Sequence, residues 1–152
     1  MVDYEITSST IMLECCGENS TRVFEFDRDF IVDDSLYNII SNSCEFYGSS
    51  FNGRSEASKK ILCTNIKVPI VVEDLKKILF FPIRATYTSG NRWISFNNLD
   101  RIEKVKKNGS VTRLHFCNGI SYDVEISYEI IQRQLFNCLK LEKTLLLRQE
   151  RA

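Results

Sequence analysis

The sequence predicts an α+β protein, a mainly antiparallel β-sheet with one or two short helices and a long C-terminal helix. Three observations carry that prediction. Apolar and polar residues alternate in short runs over the first thirty positions. Two Asn-Gly pairs, Asn108-Gly109 and Asn118-Gly119, stand between strand-like segments, the strongest short-range hairpin signal. From Tyr128 to near Arg148 apolar residues recur at three-to-four spacing, which is helical. A length of 152 residues with 43% hydrophobic side chains fits one domain spanning positions 1 to 152, large enough to fold on its own core.

Taken in order, Tyr4 to Ser8, Thr10 to Cys15 and Thr21 to Phe26 read as strands, with Gly17, Glu18 and Asn19 turning between the last two. Ser35 follows Asp33 and Asp34 as a helix start, and Leu36, Ile39 and Ile40 share one face, so a helix is expected near 34 to 43. Gly48, Ser49, Ser50, Asn52, Gly53 and Arg54, interleaved with Phe46, Tyr47 and Phe51, break regular patterning. A short helical piece from Ser55 to Cys63 carries Lys59 and Lys60. Val68 to Val72, entered at Pro69, and Ile78 to Phe81, closed by Pro82, read as strands. Ile83 to Arg92 is polar and contains no acid, a loop with basic ends, and Trp93 opens the next strand.

The two Asn-Gly turns make a three-stranded meander. A two-residue loop at Asn118-Gly119 would mix its faces. A three-residue loop with glycine in the left-handed bulge position pairs Phe116 with Ile120, Leu114 with Tyr122 and Thr112 with Val124. Arg113 then lies opposite Asp123. The same choice at Lys107 to Gly109 sets Ile102 against Leu114 and Glu103 against Arg113, and crowds Lys104, Lys106 and Lys107 at the tip. Ser127 caps the last helix. Its apolar stripe is buried either on the meander or in a dimer seam built on Leu135, Leu139, Leu145 and Leu146.

Charge is balanced overall but polarised along the chain. Residues 1 to 50 carry ten acids against Arg22 and Arg28, while residues 51 to 113 carry thirteen bases against five acids. This points to a polyanion-binding middle, unless the two segments simply pack together. No apolar run reaches the ~20 residues of a membrane span and no basic-then-apolar leader is present, so a cytoplasmic location without a membrane partner is expected. Six cysteines without a Cys-x-x-Cys pair, beside a single histidine, are expected to be reduced thiols; no metal or cofactor is expected. His115 and Cys117 are two apart on a strand, yet nothing there marks a catalytic cleft. Phosphate-binding glycine loops and nucleophile elbows are missing, so an enzyme is not expected.

Three basic loci suit nucleic acid: Arg54 with Lys59 and Lys60, the Arg84 to Arg92 loop, and the lysine hairpin tip. Ser49, Ser50, Asn52, Thr86, Thr88, Ser89 and Asn91 are placed to fix register on the sugar-phosphate backbone, and loop arginines at 84 and 92 to enter a narrow minor groove.

The eleven residues Cys44-Glu45-Phe46-Tyr47-Gly48-Ser49-Ser50-Phe51-Asn52-Gly53-Arg54 resemble the signature of the ComK competence transcription factors of Gram-positive bacteria. Val68-Pro69-Ile70, Phe80-Phe81-Pro82, Trp93-Ile94-Ser95, Phe116-x-Asn118-Gly119 and Ile126-Ser127-Tyr128 recur in the same order, so the resemblance spans about residues 37 to 140. It implies a transcriptional activator that binds double-stranded AT-rich promoter boxes, largely through the minor groove, as dimers or higher oligomers. Gly48, Ser49, Ser50, Gly53 and Arg54 are the signature positions carried over. Longer members continue into a tail linked to activation and to capture by an adaptor for regulated proteolysis. This chain stops at Ala152, so adaptor docking is not expected of it. The alternative is an interaction module that forms mixed dimers with a full-length ComK-type regulator and modulates it.

Overall fold

A computed structural model describes residues 4–85 and 90–151. The predicted α+β class is what it shows: nine strands in two sheets and three helices among the described residues. The first strands are β1 (Thr10–Gly17), β2 (Ser20–Glu25) and β3 (Asp29–Val32), followed by α1 (Leu36–Phe46) and α2 (Phe51–Leu62). Then come β4 (Ile70–Glu73), β5 (Ile78–Pro82), β6 (Arg92–Ser95), β7 (Leu99–Lys104), β8 (Thr112–Phe116), β9 (Ser121–Val124) and α3 (Tyr128–Arg151). Six strands form an antiparallel sheet in the order β3-β2-β1-β6-β5-β4, and β7-β8-β9 form the meander.

The meander has the predicted register. Leu114 faces Tyr122 and Ile102, Arg113 faces Asp123 and Glu103, and Thr112 faces Val124. Gly109 and Gly119 have φ of 70° and 88°, left-handed values that the bulged three-residue loop requires of its last residue.

Three expectations are corrected. Tyr4 to Ser8 is not a strand: the Ile6 N–H donates to Ser43 Oγ (2.9 Å) and Tyr47 Oη donates to the Ile6 carbonyl (2.6 Å), fastening an extended segment to α1. β3 falls in a segment not read as a strand, because Asp29 masks a run of only four residues. Residues 51 to 54, read as irregular, are the first turn of α2.

The six-stranded sheet is buried on both faces, which is why β5 reads as an unbroken apolar run. Ile78 and Phe80 join Leu13, Val23, Ile70 and Trp93 beneath the α1 residues Leu36, Ile39, Ile40 and Cys44. Leu79 and Phe81 point the other way, to Leu114, Phe116 and Val124 of the meander and to Ile131, Cys138 and Leu141 of α3. Each fully buried large side chain stabilises the fold by ~1.5–3 kcal/mol relative to exposure. α2 contributes to both cores, Phe51 to the first, Ile61 and Leu62 to the second.

The stripe Ile131, Gln134, Cys138, Leu141 therefore packs within the monomer, with Leu135 and Leu145 partly buried beside it. Phe136, Leu139 and Leu146 stay outside, 71%, 56% and 49% exposed. Of the four seam residues, Leu135 and Leu145 pack against the intramolecular core, and Leu145 also lines an open, mainly apolar groove together with Leu139, Leu146, Val71 and Leu79.

Candidate nucleic-acid interface

The strand order turns the linear charge polarity into a spatial one. β1 to β3, from the acidic leading segment, form one half of the six-stranded sheet, and β4 to β6, from the basic middle, form the other. The seam between them runs along β1 and β6. There Glu14 pairs in register with Arg92, whose Nε and Nη2 donate to Glu14 Oε2 at 3.1 and 2.7 Å. Arg92 is thus engaged across the seam rather than displayed on a loop.

The signature residues build the corner between α1 and α2. Gly48, at φ 89°, ends α1, and Ser49 Oγ donates to the Cys44 carbonyl (3.1 Å). Ser50 caps α2, its Oγ accepting from the Gly53 N–H at 3.0 Å. A Cβ at position 53 would lie 3.0 Å from that hydroxyl, so glycine there leaves room for the cap. Asn52 is exposed in the first turn. Arg54 turns back to Asp74 in the β4–β5 turn, Nη2 to Oδ2 at 3.2 Å, and its Nε is buried with no hydrogen-bond partner among the described residues. Burial pushes the neighbouring Cys44 thiol up to about 11, with Arg54 opposing that rise.

A cleft of about 210 Å³ opens between α2, the segment after it and the ends of β5 and β6. Phe51, Ser55 and Lys59 line it from one face of α2, with Asn65, Lys67 and Arg84 across from them. Among the described residues, no acidic side chain lines it. Lys59 also reaches Glu56 (3.5 Å), and Lys60 lies exposed beside it. Asn91 closes the neck of the adjoining loop: its Oδ1 accepts from the Arg84 N–H (3.1 Å) and its Nδ2 donates to the Arg84 carbonyl (3.4 Å). Thr88 lies outside the described residues.

The start of α3 ties the basic loci together. Arg84 Nη2 donates to the Glu125 carbonyl (3.3 Å), just ahead of the helix. The Tyr128 N–H donates to the Gly109 carbonyl (3.1 Å), and Lys104 pairs with Glu129 (3.5 Å) over the Tyr128 ring, which fastens the lysine tip. Lys106 and Lys107 remain exposed at that tip. One turn further on, Gln134 Nε2 donates to the carbonyls of Lys67 (2.8 Å) and Pro82 (2.7 Å).

Lys59, Arg84 and Asn91 are thus brought together, while Arg54 and Arg92 are held by carboxylates elsewhere. Lys67, Ser55, Asn65 and Gln134 were not singled out by sequence reasoning. Lys67 carried one signal, its place in the basic middle.

The meander's outer face does not form a nucleophilic site on Cys117. His115 is hydrogen-bonded to Glu103 Oε1 through Nε2 and to Ser121 Oγ through Nδ1, both at 2.8 Å, while the Cys117 thiol points to Asn98 Oδ1 at 3.8 Å. The His115 contact, first, holds the Glu103 carboxyl below its ordinary range.

The ComK protein family model matches residues 1–150. A relative, the competence transcription factor of Bacillus subtilis (strain 168), is 27% identical over 136 residues, covering 88% of this chain and 70% of the relative. No solved structure matches. With almost its whole length matched by that model, the chain belongs to the ComK protein family, a family of transcription factors and not of enzymes.

Proposed function

We propose that the chain is a sequence-selective DNA-binding regulator of the competence type, an activator acting in the cytoplasm on AT-rich promoter boxes through the minor groove. The observation that supports this most is the gathering of Lys59, Lys67 and Arg84 in an acid-free cleft, with Lys106 and Lys107 fastened to the same start of α3. In this reading Arg84 enters the minor groove while Lys59, Lys60, Lys67, Lys106 and Lys107 neutralise phosphates. A-tracts narrow that groove and deepen its negative potential, so an inserted guanidinium selects them with few base contacts. Asn91 shapes the arginine loop, and Thr88 is its candidate backbone contact. Gly48, Ser49, Ser50 and Gly53 serve by building the corner that aims α2, and exposed Asn52 is a candidate backbone contact beside it. Arg54 and Arg92 belong to the scaffold.

Paired boxes suit a dimer, for which Leu139 and Leu146 supply exposed apolar surface. Gel-shift titration with an AT-box duplex against a GC-rich duplex of equal length tests the reading; equal affinity for both refutes it. The same apolar surface favours a second reading, a module that forms mixed dimers with a longer ComK-type regulator. Co-purification with such a regulator, combined with no DNA affinity of its own, would select that reading.

A further inference from the structure

We infer that Gln134 is a positioning residue of the DNA interface, holding the backbone of Lys67 so that its ammonium group meets a phosphate. The inference rests on the DNA-binding reading above. Gln134 occupies the buried stripe of α3 between Ile131 and Cys138, a stripe otherwise made of apolar side chains. A buried amide there is costly unless satisfied, and it is: Oε1 accepts from Asn137 Nδ2 (3.4 Å) and Nε2 donates to two carbonyls. Those carbonyls belong to Lys67 and Pro82, which both line the basic cleft. One side chain from the core therefore spans two walls of the cleft and sets the distance between them.

Lys67 provides the second, independent observation. Its φ of 52° is left-handed, a conformation that glycine adopts freely and a lysine adopts at a cost. Local strain of this kind persists where surrounding structure imposes it and gathers at functional sites. Cys63 and Lys77 share that backbone region, but at Lys67 the carbonyl is held by the Gln134 amide and the residue lines the cleft with Arg84 and Lys59.

Salt titration of binding to an AT-box duplex, read by fluorescence anisotropy, tests the inference. Lys67→Gly removes the charge and relieves the backbone, so its melting temperature should hold or rise. Its slope of log affinity against log salt should become shallower by about 0.9, the loss of one phosphate contact. Lys67→Arg should keep the wild-type slope. Gln134→Met should flatten the slope as Lys67→Gly does, and the double variant should flatten it no further. An unchanged slope in Lys67→Gly overturns the inference, and so does full additivity in the double variant. If Gln134→Met does not fold, Gln134→Asn, which keeps the amide but shortens its reach to the Lys67 carbonyl, is read in its place: the same flattening is expected, and an unchanged slope overturns the inference. A wild-type protein that binds no DNA fails earlier, at the functional reading itself.

Discussion

Arg92 and Glu14 make the sharpest stability prediction, because they form an ion pair across the β1–β6 seam. Arg92 donates twice to one carboxylate oxygen, and the two side chains are 26% and 22% exposed. At about 4 Å and an effective dielectric near 20, the bare attraction is roughly 4 kcal/mol. Partial desolvation of both ions offsets much of it. The net coupling should fall between the ~0–1 kcal/mol of exposed pairs and the ~3–5 kcal/mol lost when one member of a buried pair is removed. We expect a double-mutant cycle of Arg92→Ala and Glu14→Ala, followed by urea denaturation, to give about 1–2 kcal/mol. For a domain of this size each single change should lower Tm by about 3–6 °C. The salt slope of DNA binding should not move in Arg92→Ala. Additive single-variant effects, or intact stability with collapsed DNA affinity, would refute the scaffold role.

Phe81 is fully buried between the six-stranded sheet, the meander and α3, so Phe81→Ala should cost ~3–5 kcal/mol in denaturation, unless the cavity collapses. At Gly48 nothing lies within 4 Å of an added Cβ, so Gly48→Ala should lose only the left-handed backbone cost, ~1–2 kcal/mol, with Gly48→Asn losing less. Cys16, Cys63 and Cys117 are exposed while Cys15, Cys44 and Cys138 are buried, so a thiol reagent on the native protein should label three sites quickly and the rest only after unfolding. The Cys44 thiol is raised by burial to about 11 from 9.0, so its contribution is complete below about pH 9 and is lost as pH rises through 11. Cys44→Ala should remove that alkaline component, seen as a flatter stability profile over this window.

How much could be read from the chain depended on the range of the interaction. The meander was legible in full because its two Asn-Gly turns are local and a one-residue slip would expose Leu114 and Phe116. The joining of β1 to β6 was not, since Glu14 and Arg92 are separated by 78 positions and nothing local announces their pairing. Alternation at Tyr4 to Ser8 correctly reported that Ile6 is buried, but β1 already has β2 and β6 as neighbours, and the segment docks on α1 instead. Ser50 was a possible N-cap by residue type, but the position three residues later is Gly53 and not the Glu or Gln that would complete a capping box, so the start of α2 was obscured. The cleft depended on Lys67, whose left-handed backbone leaves no mark on its side-chain type, and on Gln134, which looks like one polar interruption of an apolar stripe.

In the proposed function, cations from α2, the segment after it, the Arg84 loop and the lysine tip act together on a narrow minor groove. Anisotropy titration of the wild-type chain with an A-tract duplex and a GC-rich duplex, each over a series of salt concentrations, tests it most directly. Five phosphate-neutralising lysines predict a slope of about −4.5 on both duplexes, with tighter binding to the A-tract that Arg84→Ala abolishes. A slope near zero, or an A-tract preference that survives Arg84→Ala, would contradict it.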